Sequence, residues 1–170
     1  MFARGNERRL IFRDERDRRS YLGFLGQAIR RQSWSCLAYC LMHNHVHLVI
    51  ETPEPNLATG MQRLHGGYAQ WFNHRHGRVG HLFQGRYGSV RVRSDAQLWS
   101  VVRYVALNPV AAGFCATAAD YRWSSHADVL HGAVSPYVDV AHVLDYLASA
   151  AGTRAPAERY AALIGERAGP

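Results

Sequence analysis

The chain has 170 residues, of which 48% are hydrophobic and 19% charged, a balance that fits a soluble single domain with a real core and excludes a disordered chain. The net charge is +7, and all 20 basic residues are Arg. Residues 1–103 hold 16 Arg against 7 acids, whereas residues 104–170 hold 4 against 6, so the basic half points to a polyanionic partner, most simply nucleic acid.

In chain order, a short first strand leads into a link over Arg8–Phe12. Asp14 to Gln32 reads as an amphipathic helix capped by Asp14. Tyr21, Leu22, Phe24, Leu25 and Ile29 form its apolar stripe, and Arg18, Arg19, Arg30 and Arg31 are expected on its wet side. Trp34–Met42 and Asn44–Glu51 read as strands of a hairpin turning near His43. A second long helix runs from Asn56 or Leu57 to His74, with Met61, Leu64, Tyr68, Trp71 and Phe72 at helical spacing. A basic loop, His74–His81, precedes a strand expected over Gln84–Arg93. Ser94 or Asp95 caps a third helix that Asn108-Pro109 is expected to end near Leu107. Gly113–Tyr121 reads as loop, Trp123–His126 opens a short helix, and Val138–Ala150 and Pro156–Ile164 read as a helical pair. Hairpins and helices without alternating βαβ units predict an α+β fold with a ferredoxin-like antiparallel sheet and helices on both faces.

No apolar run reaches the length of a membrane-spanning helix, and no membrane partner is expected. Met1–Asn6 lacks the basic-then-apolar layout of a signal peptide, which predicts a cytoplasmic protein. Cys36, Cys40 and Cys115 make an odd count, so a disulfide framework is not expected. Cys36 and Cys40 lie just before the histidines and raise zinc as an alternative; buried structural thiols are the favoured reading.

The densest chemistry lies in Leu41–Glu51. His43, His45 and His47 alternate with Asn44 and Val46, and a strand places alternate residues on one face. Val46, Leu48 and Ile50 then form a core face, and the imidazoles line the other like half of a metal site. A histidine-rich surface strand is the plain alternative. Tyr104 and Asn108 are four apart on the third helix and so share a helical face. If that helix crosses the histidine face, Asn108 can complete a metal site with Tyr104 beside it. A half-buried Tyr and a helix-end Asn are the ordinary readings of each residue taken alone.

The joint layout resembles the REP-associated tyrosine transposases, within the single-tyrosine HUH transposases of bacterial insertion sequences. The resemblance rests on Arg4-Gly5-Asn6, on Tyr39–Leu48, on Gly80–Tyr87, on Arg103–Val110 and on Tyr121–Ser125, in the family's order over roughly residues 3–130. It implies an HUH transposase domain over residues 1–133 with a C-terminal helical extension over 134–170. It also implies that His45, His47 and Asn108 bind Mg²⁺ or Mn²⁺, and that Tyr104 is the nucleophile. The family cuts single-stranded DNA beside imperfect hairpins, leaving a 5′-phosphotyrosine and a free 3′-OH. A nucleoid-associated protein acting on REP-like palindromic repeats, as a monomer or a homodimer, is therefore expected. His43 stands where such proteins usually carry Pro, and it either competes for metal or shapes the turn.

Single-stranded DNA needs a basic track with aromatic platforms. Arg4, Arg86 and Arg91 are the leading candidates. Arg8, Arg9, Arg75, Arg78 and Arg93 follow, with Phe83 and Tyr87 interleaved, and the arginines of the first helix are weaker choices. Two other readings compete: a domesticated hairpin-binding protein that does not cleave, and a zinc protein using Cys36, Cys40 and the histidines.

Overall fold

A computed structural model describes residues 1–148 and 155–165. Three strands, β1 (Phe2–Arg4), β2 (Ser35–Leu41) and β3 (His45–Glu51), form an antiparallel sheet in the order β1-β3-β2. Between β1 and β2 runs α1 (Glu15–Gln32), followed after the hairpin by α2 (Leu57–His76) and α3 (Asp95–Ala111). The short α4 (His126–Leu130) and the pair α5 (Val140–Ala148) and α6 (Pro156–Ile164) complete the described chain. The fold is the expected mixed α+β arrangement: α1 and α2 pack on each other, and α3 lies against β2 and β3. Of the predicted helix Val138–Ala150, residues 149–150 lie outside the described residues.

The expected strand over Gln84–Arg93 does not form as such. Residues 82–88 instead run beside β1 through four bonds of 2.9 Å: Asn6 N to Leu82 O, Gln84 N to Arg4 O, and a reciprocal pair between Phe2 and Gly88. Gly5 faces Phe83 and Phe2 faces Gly88, so five steps on one side match three on the other. The mismatch breaks the ladder, as a bulge does. Gly88 fits because a Cβ there would lie 2.5 Å from the Phe2 ring.

Helix α1 begins as predicted, with the Asp14 side chain accepting from Asp17 N at 3.0 Å. Its wet face differs from expectation at Arg18, which is only 8% exposed. The Arg18 guanidinium lies over the Phe12 and Trp123 rings at 5.4 and 5.5 Å. Helix α2 runs two residues past its predicted end, to His76, and Gly77 caps it in left-handed conformation (φ 59°). That last turn carries Arg75 and His76 onto the fully buried Asp17 carboxylate, and Arg75 also grips Asp14 at 2.7 Å. Arg75 is thus a structural tie between α1 and α2 rather than a free phosphate ligand, and it holds the Asp14 carboxyl well below the usual carboxylate range.

Helix α3 also outlasts its prediction, since Pro109 lies inside it. Proline's fixed φ suits a helix, and so near the C-terminus only one internal hydrogen bond is forfeited. Residues 123–125 clip onto the outer edge of β2, with Leu41 N donating to Trp123 O at 2.9 Å and Ser125 N to Tyr39 O at 3.0 Å. The core joins Tyr21, Leu25, Leu41, Val46, Leu48, Met61, Leu64, Tyr68 and Phe72. The α5–α6 pair docks on this body through α3 and α4, with His126 Nδ1 and Tyr160 Oη 3.1 Å apart.

Inside the core, His65 meets Tyr21 Oη at 3.1 Å and stacks on Phe83 at 4.4 Å. Burial pushes its pKa down to about 4, against roughly 6.5 in an unfolded chain. Above pH 6.5 the ring is neutral in both states and the full stability is present. Between 6.5 and 4 the unfolded chain takes up the proton first, so stability falls as pH falls. The thermal midpoint should therefore drop across this window, and His65→Gln should flatten the slope in a scan of midpoint against pH. Some slope should persist, because His47 is pushed down to about 4 as well.

Candidate nucleic-acid-processing site

Strand β3 positions the site by its alternation. Val46 and Leu48 are buried in the core, and His45 and His47 project from the other face with ring centroids 5.0 Å apart at 88°. The register of β1 places Arg4 opposite His45 and Phe2 opposite His47. On the far side β2 sets Cys40 opposite His47 and Leu41 opposite Val46. Helix α3 crosses this face and buries Leu98, Val102, Val105, Ala106 and Pro109. Its Tyr104 ring lies 5.3 Å from the His47 ring at 88°, and the residue is 58% exposed. One turn on, Asn108 lies close enough to the His45 side chain to raise its pKa, against the larger lowering by burial.

The polar atoms of this cluster are unevenly satisfied. His45 Nδ1 lies 2.7 Å from Asn44 Oδ1, and Asn44 Nδ2 donates to Arg8 O at 3.0 Å. The amide oxygen can only accept, so Asn44 fixes the proton of a neutral His45 on Nδ1 and leaves Nε2 with a lone pair. His47 Nε2 is buried with no hydrogen-bond partner. Burial is the largest force lowering the pKa of both histidines; the neighbouring His45 adds to it for His47. Both rings are thus neutral at neutral pH, the form in which an imidazole nitrogen can hold a metal. Two imidazole nitrogens and one amide oxygen on converging elements form a donor set that can hold a divalent cation.

His43 departs from expectation. It lies in the turn before β3, exposed, and stacks on Phe114 at 4.3 Å rather than joining the other two histidines. Cys36 and Cys40 are buried, and burial pushes both thiols up to about 12, which disfavours the thiolate that zinc requires. Among the described residues no three of His, Cys, Asp and Glu are grouped to hold a metal. An Asn donor is therefore what would complete a site on the two histidines.

Of the candidate DNA contacts, Arg4 is close enough to His45 and His47 to lower the pKa of both. Arg86 is exposed in the segment beside β1, and Arg91 is exposed on the stretch leading to α3, without an ion pair among the described residues. Arg9 pairs with Glu7 at 2.6 Å and Arg19 with Glu15 at 3.1 Å. Phe83 is 8% exposed under His65, so it is core rather than a platform. The role of Asn44 escaped sequence reading, although its place directly before His45 was the available signal.

No helix among the described residues is long and apolar enough to cross a membrane. Comparison with curated proteins finds no match. Among solved structures, the chain is similar to a REP-associated tyrosine transposase bound to a REP hairpin, with a TM-score of 0.61 and 19% identity. That likeness covers 82% of this chain and 84% of the other, and at such identity it speaks for the fold alone. The family model described as "Transposase IS200 like" matches residues 2–108, a stretch that contains β1, the histidine strand and α3 through Asn108. By that match over more than half of its length, the chain belongs to the IS200-like transposase family.

Proposed function

We propose that the protein is a single-strand DNA transposase that cleaves and rejoins DNA beside REP-like hairpins, with Tyr104 as nucleophile and His45, His47 and Asn108 holding Mg²⁺ or Mn²⁺. One observation carries this reading: an exposed phenol lies 5.3 Å, ring to ring, from an imidazole whose buried Nε2 lacks any hydrogen-bond partner. A buried polar atom left unpaired is costly unless a ligand meets it. The hairpin as substrate is supported by the similar protein, which is described as bound to one.

A phenol with an ordinary pKa near 10 is a weak nucleophile unaided. When bound, a divalent cation supplies charge neutralisation on the phosphate under attack. The chain's own residues do the rest. Tyr104 Oη bonds to phosphorus as the bond from phosphorus to the 3′ oxygen breaks. The phenol proton passes to solvent, and the departing oxygen takes one up. The products are a 5′-phosphotyrosine and a free 3′-OH. Attack by a second 3′-OH reverses the step, so the strand is rejoined without ATP. Asn108 and Tyr104 share a helix face, which fixes nucleophile and amide relative to each other. Arg4 binds a phosphate flanking the cut, and Arg86 and Arg91 extend the basic track.

Labelled hairpin DNA with Mn²⁺ should give a covalent adduct on the 5′ side with the natural protein. Tyr104→Phe should give none while binding the hairpin within about twofold of it. Binding without any adduct under either metal would favour the non-cleaving hairpin binder. Asn44→Ala should weaken Mn²⁺ binding about tenfold or more by calorimetry, and Asn44→Asp, which keeps the acceptor, should retain most of the affinity. Arg4→Ala should lower the slope of log affinity against log salt by about one.

A further inference from the structure

One feature of the molecule is absorbed neither by the core nor by the tyrosine site. A cleft of ≈ 710 Å³ opens beyond the hairpin turn, lined by Arg18, His43, Phe114, Tyr121, Arg122 and Trp123. Its walls are planar rings. His43 stacks on Phe114 at 4.3 Å and 24°, and Phe114 lies nearly parallel to Tyr121 at 6.3 Å and 25°. Phe114 is 44% exposed, unusual for a large apolar side chain with no core to fill. Two guanidinium groups flank one of the rings: Arg122 and Arg18 lie over Trp123 at 4.8 and 5.5 Å. Arg18 is more than nine-tenths buried, yet its Nε has no hydrogen-bond partner.

Three carboxylates also border the cleft, and each is engaged. Asp14 is held by Arg75, Glu15 by Arg19 and Arg122, and Asp120 accepts from Thr117 at 2.8 Å. Stacked rings with guanidinium groups suit a ligand that is flat, aromatic and joined to an anion. A nucleotide has that chemistry.

The cleft also has a fixed relation to the tyrosine site. His43 is separated from His45 only by Asn44, and Met42 N donates to His45 O at 2.9 Å across the turn. Phe114 lies three residues past the end of α3, its N–H donating to Pro109 O at 2.9 Å beside Asn108. The two elements that converge at Tyr104 therefore continue into the two walls of the cleft. We propose that this cleft takes one unstacked base of the single-stranded DNA flanking the hairpin, sandwiched against the His43–Phe114 stack. The inference rests on the transposase reading, because it assumes that the same strand crosses Tyr104.

The test uses a fluorescent DNA hairpin with single-stranded tails of about eight nucleotides on each side, bound in the presence of chelator so that affinity is read without cleavage. Each tail nucleotide is replaced in turn by an abasic one. The full-length natural protein should lose about tenfold in affinity at one tail position. Phe114→Ala should lose about tenfold on the intact DNA and then be indifferent to that abasic position, and Phe114→Trp should restore both. Phe114 is exposed enough for the variants to fold, and circular dichroism checks that. The proposal is overturned if every abasic position binds within twofold of intact DNA, or if Phe114→Ala keeps the natural sensitivity. A Tyr104-dependent adduct together with either of those results would sink the base pocket and leave the transposase reading standing. Phe114-dependent base sensitivity without any adduct would do the reverse.

Discussion

Strand β3 has to serve two environments at once, and its register decides whether it can. One residue of slippage would turn His45 and His47 into the core and expose Val46 and Leu48 on the site. The register is pinned from both sides, by β1 at Arg4 and Phe2 and by β2 at Cys40 and Leu41. Tyr121 adds a third restraint, its hydroxyl donating to Leu41 O at 2.8 Å. Residues 123–125 cover the outer edge of β2. A strand whose polar face is desolvated depends on such restraints, because its own imidazoles gain nothing from burial.

The arginines are divided between two tasks. Arg75 neutralises the buried Asp17, Arg18 packs on aromatic rings, and Arg122 pairs with Glu15 at 2.6 Å. Arg4, Arg86, Arg91 and Arg93 stay exposed along β1, its neighbouring segment and the approach to α3. The positive charge thus concentrates beside the histidine face, where a polyanion would be drawn in. Arg serves both tasks because its guanidinium stays charged and stacks on rings where a Lys would not.

The elements legible in sequence were those in which local rules and packing agree. The hairpin, α1 with its Asp14 cap and the long α2 all formed close to where periodicity put them. The Gln84–Arg93 strand was misread because Val90 and Val92 alternate like strand residues, yet Val90 is 73% exposed and pairs with no strand. Pro109 was over-weighted as a stop, since a proline near a helix end costs the helix little. Spacing paired His45 with His47 and Tyr104 with Asn108, the family resemblance joined the two pairs, and the structure brings them together. Which arginines are held inside was not legible, because the Arg18 environment is built from Phe12 and Trp123, far apart in sequence. The same distance hid the parting of His43 from its neighbours, since Phe114 is what claims it.

Tyr104 and Asn108 stand one turn apart on a single stiff helix that is tethered at its start by an unpaired stretch and packed at its flank on α6. They can only travel together. A shift of α3 that withdrew the phenol from His47 would also withdraw the amide from His45. The seating of α3 on the sheet therefore sets the phenol and the amide against the two histidines together.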